Sequence, residues 1–142
     1  MYVHRSDGTS TGWDFPSYGD GLPHDLCHLV VEDELGLADG FWGLVDQGVD
    51  VALVNNQATL VRDGAPLGEQ VGSDLAELLE AEAAVAALAP GIGEPGPGPG
   101  ATLPASATPD AVAAIHRRLR VLAPEWRDLK DDAAITLLFP SQ

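Results

Sequence analysis

Four ionisable residues with the spacing of a metal site lie close together near the start of the chain. His24 and His28 are one helical turn apart, and Asp25 and Glu32 lie beside them. Since each residue of an α-helix advances by about 100°, all four side chains fall within one strip of roughly 100°. Histidines at i and i+4 share a helix face, and zinc binds imidazole and carboxylate groups. The spacing predicts a zinc site with His24, His28 and Glu32 as candidate ligands.

Asp25 is the candidate catalytic residue of this strip. The segment from His24 to His28 resembles the His-Glu-x-x-His helix of zinc proteases, with aspartate in place of the glutamate that acts as general base. The resemblance implies that Asp25 orients a metal-bound water, and thus a metal-dependent hydrolase. Because aspartate is one methylene shorter, the resemblance supports metal binding more than peptide hydrolysis.

Glu32 has two alternative roles at such a site. Eight residues of helix at 1.5 Å per residue place it about 12 Å from His24, which is far for a shared ion. Glu32 can instead support His28 from behind, and a further ligand then comes from elsewhere in the chain. His4, His116 and a loop aspartate are the candidates, and none of them is marked by its spacing.

The competing hypothesis is that the strip is only a polar helix face. Asp25 lies in the predicted first turn, where a carboxylate commonly satisfies free backbone N–H groups.

The chain carries 22 acidic and 7 basic side chains and a formal net charge of −15, which disfavours nucleic acid and anionic membranes as partners. The alternative function is therefore a non-catalytic acidic interaction protein that binds a protein partner.

Further features predict a cytoplasmic location. Cys27 is the single cysteine and lies on the apolar arc of the first helix, so we expect a buried thiol and a reducing compartment. The first residues lack the pattern of a secretory signal, and no long apolar run is present.

The pattern of apolar residues and turn signals predicts an α+β fold in one domain, residues 1–142. The first helix should run from Pro23 to Leu35 and stop at Gly36. We expect a small antiparallel sheet, made of an N-terminal hairpin and a C-terminal strand, packed against three to four helices. The remaining predicted elements are a hairpin at 2–5 and 11–15, a helix from Leu37 that Gly48 ends, a hairpin at 51–54 and 58–61, helices at 74–89 and 109–123, a flexible Gly/Pro-rich loop at 90–107, and a strand at 134–139.

The first helix also carries a resemblance to a group of proteins. The string Leu-Pro-His-Asp-Leu-x-His-x-Val-Val-Glu from Leu22 to Glu32, with Gly40-Phe41-Trp42-Gly43 and a later Trp126-Arg127, resembles small uncharacterised proteins of high-GC, actinobacterial-type bacteria. The resemblance covers about residues 1 to 50 and 110 to 140. It implies a bacterial origin and no particular activity.

Overall fold

The structure, a computed structural model, describes residues 1–14, 21–70, 72, 74–89 and 103–140. Within them it has four helices and two antiparallel sheets, so the predicted α+β class is confirmed. The helices are α1 (His24–Leu35), α2 (Phe41–Asp46), α3 (Ala76–Leu88) and α4 (Pro109–Arg127). The strands are β1 (Tyr2–His4) and β2 (Ser10–Gly12) in one sheet, and β3 (Asp50–Val54), β4 (Gln57–Arg62) and β5 (Ala65–Pro66) in the other.

Helix α1 lies at the centre of the fold, and its ends follow the sequence signals. Pro23 directly precedes the helix, and its carbonyl oxygen accepts hydrogen bonds from the first turn. Gly36 ends the helix with a φ of 67°, which glycine adopts without steric cost. Because α2, α3 and α4 all pack against α1, the polar strip faces the interior at His28 and Glu32.

Both hairpins predicted from the sequence are present. The first joins β1 to β2, although residue 15 of the predicted second strand lies outside the described residues. In the second, Asn55 and Asn56 have φ values of 51° and 63° between β3 and β4. Two positive φ angles match the twist of the paired strands in a tight hairpin, and asparagine tolerates them. The short strand β5, which the pattern did not indicate, extends this sheet.

The predicted C-terminal strand is wrong. Residues 134–139 have no strand pairing, so the sheet that would have joined them to the N-terminal hairpin does not form. Ile135 and Phe139 pack against the core from an irregular segment, whereas Leu138 is exposed. A short apolar segment can bury its side chains without pairing to another strand. The apolar pattern of a segment therefore does not show that a partner strand exists.

Helix α3 packs against α1 through small side chains. Its buried residues are Ala81, Ala84, Val85 and Leu88. The large side chain of Leu79 is 68% exposed. Two of the four buried positions of this helix, Ala81 and Ala84, carry small side chains. Residues 90–102 of the predicted loop lie outside the described part of the chain, and residues 103–107 lead into α4.

Helix α4 begins as predicted but continues further. The Thr108 side chain accepts a hydrogen bond from the Ala111 N–H, and proline follows in the first turn. The sequence pattern predicts an end at residue 123, yet the helix continues through Pro124 to Arg127. Proline removes one helical hydrogen bond, and the carbonyl that loses its partner belongs to the exposed Arg120. Of the described helices, none combines the length and the apolar character that a membrane crossing requires.

Gly43 in α2 provides a test of this packing. A Cβ atom at position 43 would overlap the carbonyl oxygen of Ala38, which is backbone and cannot rotate away. We expect Gly43→Ala to lower the free energy of unfolding by about 1 to 3 kcal/mol or more, measured by urea denaturation. Gly68→Ala, where a Cβ meets open space, is the matched control and should change it by less than about 0.5 kcal/mol. Equal stability of the two variants would contradict the packing described here.

Candidate metal centre

Three side chains from two helices bring their ligand atoms together at the surface end of α1. The Nε2 atoms of His24 and His28 are 3.1 Å apart. The Oε2 atom of Glu82, on α3, lies 3.4 Å from the first of these nitrogens and 3.3 Å from the second. Among the described residues, this group of histidine and carboxylate side chains could hold a metal ion.

The three side chains differ in their exposure to solvent. His28 is 1% exposed and lies in the middle of α1, where the ring also contacts Phe41. His24 is the first residue of α1, and its side chain is 27% exposed, whereas the Glu82 side chain is 50% exposed. The cluster therefore combines a fixed imidazole at its base with two groups that face solvent.

The spacing of the three atoms is compatible with a shared metal ion. A tetrahedral zinc ion with bonds of about 2.0 to 2.1 Å holds any two ligand atoms about 3.3 to 3.4 Å apart. The observed separations of 3.1, 3.3 and 3.4 Å lie close to that value on every side of the triangle. An ion about 2 Å from all three atoms would sit slightly outside their plane and keep one coordination position free.

Electrostatics favours a positive charge at the centre of the cluster. Burial disfavours the charged form of His28, but hydrogen bonds and charge attraction from Glu32 and Glu82 outweigh it and raise its pKa to about 9. Burial likewise opposes ionisation of Glu82, yet hydrogen bonds from both histidines hold the pKa of Glu82 at about 2. Glu82 is thus an anion near neutral pH, whereas His28 in the metal-free protein is protonated, so a metal ion at this position would displace the proton of His28.

Glu32 lies behind His28, on the side of the ring away from Glu82. Its Oε1 atom is 2.8 Å from His28 Nδ1 and also accepts the backbone N–H of Phe41, while Oε2 accepts the N–H of Trp42. The side chain is fully buried, with no exposed area. In the candidate cluster, the carboxylate ligand is Glu82 instead, and Glu32 reaches the cluster only through His28.

The structure places Asp25 against the aromatic side chains of the core. Its Oδ2 atom accepts a hydrogen bond of 2.9 Å from the indole N–H of Trp13, and its backbone carbonyl accepts one from the indole of Trp42. The N-cap residue of α1 is Pro23, whose side chain cannot accept a hydrogen bond, and the hydrogen bond of the Asp25 carboxylate goes to Trp13. The carboxylate that the sequence marks as a candidate general base is therefore engaged by an indole.

The other candidate ligands lie away from the cluster. His4 contacts Ser10 in the N-terminal hairpin, and His116 contacts the carbonyl oxygen of Leu88. Sequence reasoning missed Glu82, which stands among other glutamates of α3 without a distinguishing spacing. Its place beside the buried Ala81, at the edge of the face that meets α1, follows from the packing of the helices and is not marked in the sequence.

Comparison with known proteins adds no relative to this picture. No protein family model, curated protein or solved structure matches the chain. The resemblance to small actinobacterial-type proteins therefore stays a prediction, and the function has to be argued from the site itself.

The buried thiol beside His28 supplies a test of the site's packing. Cys27 is fully buried, as predicted, and burial together with the charge of Asp25 raises its pKa to about 12. Because the thiolate is the reactive form, we expect Cys27 in the folded protein to resist a thiol-specific disulfide reagent at pH 8. The same measurement in guanidinium chloride should release one equivalent of product. Rapid reaction of the folded protein would contradict the burial of this face of α1.

Proposed function

We propose that this protein binds a zinc ion through His24, His28 and Glu82 and keeps one coordination position open to solvent. The observation that carries the proposal is the nearly equilateral triangle of ligand atoms described above, with sides of 3.1, 3.3 and 3.4 Å. An accidental group of surface side chains need not converge on one point at the ligand separations of a tetrahedral ion.

The donor set supports zinc over other divalent ions. Two imidazoles and one carboxylate suit zinc, whereas calcium and magnesium prefer oxygen ligands alone. The same set also binds iron(II) in oxygenases, where the ligands are close to right angles. Bonds of about 2.1 Å at right angles would place adjacent ligand atoms about 3.0 Å apart. The separation of the two histidine nitrogens, 3.1 Å, is close to that value, whereas the two separations to Glu82 lie nearer the tetrahedral value.

The burial of the strip argues against the alternative of a merely polar helix face. A solvated face would expose its charged and polar side chains, but His28 and Glu32 are 1% and 0% exposed. Placing these groups in the interior costs free energy unless they are paired. His28 and Glu32 pair with each other, and the second ring nitrogen of His28 faces His24 and Glu82. An acidic surface that binds a partner protein therefore does not account for the strip.

Three protein ligands with an open position are also typical of catalytic zinc sites. A zinc ion held by His24, His28 and Glu82 would supply a nucleophile at neutral pH, because it would lower the pKa of a coordinated water molecule. The Glu82 side chain is half-exposed, so one edge of the cluster is in contact with solvent. We therefore propose hydrolysis of an activated ester or a similar electrophile as the reaction, with the bound water as nucleophile and without Asp25 as the base, because Trp13 engages its carboxylate.

Metal analysis tests the binding proposal directly. Protein purified without a histidine tag should contain close to one equivalent of zinc, or take it up from solution with a rise in melting temperature. Glu82→Gln removes the anionic ligand from a half-exposed position and should weaken zinc binding by more than about 100-fold, measured by competition with a chelator. Iron(II) or manganese in place of zinc, under anaerobic purification, would identify a different resident ion.

Glu80→Gln is the matched control for this experiment. Glu80 is an exposed glutamate on the same helix, outside the cluster, and its substitution makes the same change in net charge. Zinc affinity should stay within about twofold of the unsubstituted protein. Equal weakening in both variants would attribute the effect to surface charge, and metal-free protein that does not respond to zinc would overturn the proposal.

Hydrolysis has its own test. Zinc-loaded protein should cleave p-nitrophenyl acetate roughly tenfold faster than the metal-free protein, with a rate that rises through about pH 7 as the bound water ionises. Glu82→Gln should abolish the zinc-dependent part of the rate, and Glu80→Gln should keep it. Identical rates with and without zinc would exclude the hydrolytic role and leave the binding proposal standing.

A further inference from the structure

The contacts of Glu32 determine which nitrogen of His28 carries a proton. Both oxygens of Glu32 already accept backbone hydrogen bonds, from Phe41 N–H at 2.8 Å and from Trp42 N–H at 2.9 Å. A carboxylate oxygen only accepts hydrogen bonds, so the ring nitrogen beside it has to be the donor. His28 Nδ1 therefore donates its proton to Glu32 Oε1 across 2.8 Å. In the neutral imidazole, the lone pair is then on Nε2, the atom that faces His24 and Glu82.

We infer that Glu32 is a positioning residue that fixes the tautomer and the ring orientation of His28 for metal binding. This inference rests on the proposed zinc site. A ligating histidine commonly donates its other N–H to a carboxylate, which makes the ligand more basic and holds the ring in place. The Glu32 carboxylate also accepts the backbone N–H groups of Phe41 and Trp42 at the start of α2. The His28 ring on α1 is therefore connected through Glu32 to the backbone of α2.

The shape of the protein around Glu32 independently supports this role. A Cβ atom at Gly40 would lie 2.7 Å from the carboxyl carbon of Glu32 and 2.9 Å from each of its oxygens. Gly40 has a φ of −75°, which any residue can adopt, so the backbone conformation does not require glycine. The Glu32 carboxylate occupies the space in which a side chain at position 40 would lie.

The test compares the tautomer of His28 with zinc affinity. In ¹⁵N NMR spectra of zinc-loaded protein, Nδ1 of His28 should carry a proton while zinc shifts the Nε2 resonance. In metal-free protein the same tautomer should be seen above the His28 pKa of about 9, where the ring is neutral. In Glu32→Gln, one amide oxygen replaces two carboxylate oxygens, so the N–H₂ group meets a backbone N–H of Phe41 or Trp42 in either orientation and the contact that holds the His28 ring is disturbed. We expect zinc affinity to fall by 10- to 100-fold and the Nδ1–H signal of His28 to weaken or shift.

Gly40→Ala provides a second variant that leaves all ionisable groups in place. The added methyl group displaces the Glu32 carboxylate, so zinc affinity should fall together with the loss of the Nδ1–H signal. Gly68→Ala, with open space around its Cβ, should change neither. The tautomer is the decisive readout, since a role in stability alone would lower the melting temperature without moving that proton.

The outcomes separate this inference from the zinc proposal. Unsubstituted protein that binds no zinc overturns the proposed function and the positioning role with it. Protein that binds zinc while Nδ1 carries no proton, or while zinc coordinates Nδ1, overturns the inference alone. The inference also fails if Glu32→Gln folds and binds zinc as tightly as the unsubstituted protein. If that variant does not fold, the spectra of the unsubstituted protein and of Gly40→Ala still decide the question.

Discussion

The buried carboxylate of Glu32 is the constraint around which this end of the protein is built. An ionised group with no exposed area requires hydrogen bonds from every side, because the interior does not solvate charge as water does. Three N–H groups supply them, from His28, Phe41 and Trp42. The arrangement therefore fixes more than one side chain: it ties the first turn of α2 to the last half of α1, and it sets the orientation of the imidazole between them.

The chain between the two helices makes this contact geometrically accessible. After Gly36 reverses the direction of the backbone, the N–H of Leu37 bonds back to the carbonyl oxygen of Glu32. The following residues then return along α1, so that the start of α2 lies over the Glu32 side chain. Aromatic rings enclose the same region, since Phe41 contacts the ring of His28 and Trp42 donates to the backbone of Asp25.

The parts of the fold that could be predicted from the sequence are those with local causes. The ends of α1 follow from Pro23 and Gly36, and the turn at Asn55–Asn56 follows from the positive φ angles that asparagine tolerates. The predicted strand at 134–139 depended on a partner strand, which is a property of the whole fold, and it was wrong. For the same reason the spacing on α1 indicated His24 and His28 but could not indicate Glu82.

Positions 40 and 32 are coupled because their side chains would occupy the same space. A side chain at position 40 and a full-length carboxylate at position 32 compete for one space, so substitutions at the two sites are not independent. Any protein that shares this arrangement should combine His-x3-His-x3-Glu with a glycine eight residues after the glutamate, followed by two residues that offer backbone N–H groups. Such a signature excludes proline at those two positions. It can identify distant homologues whose overall identity is too low for recognition.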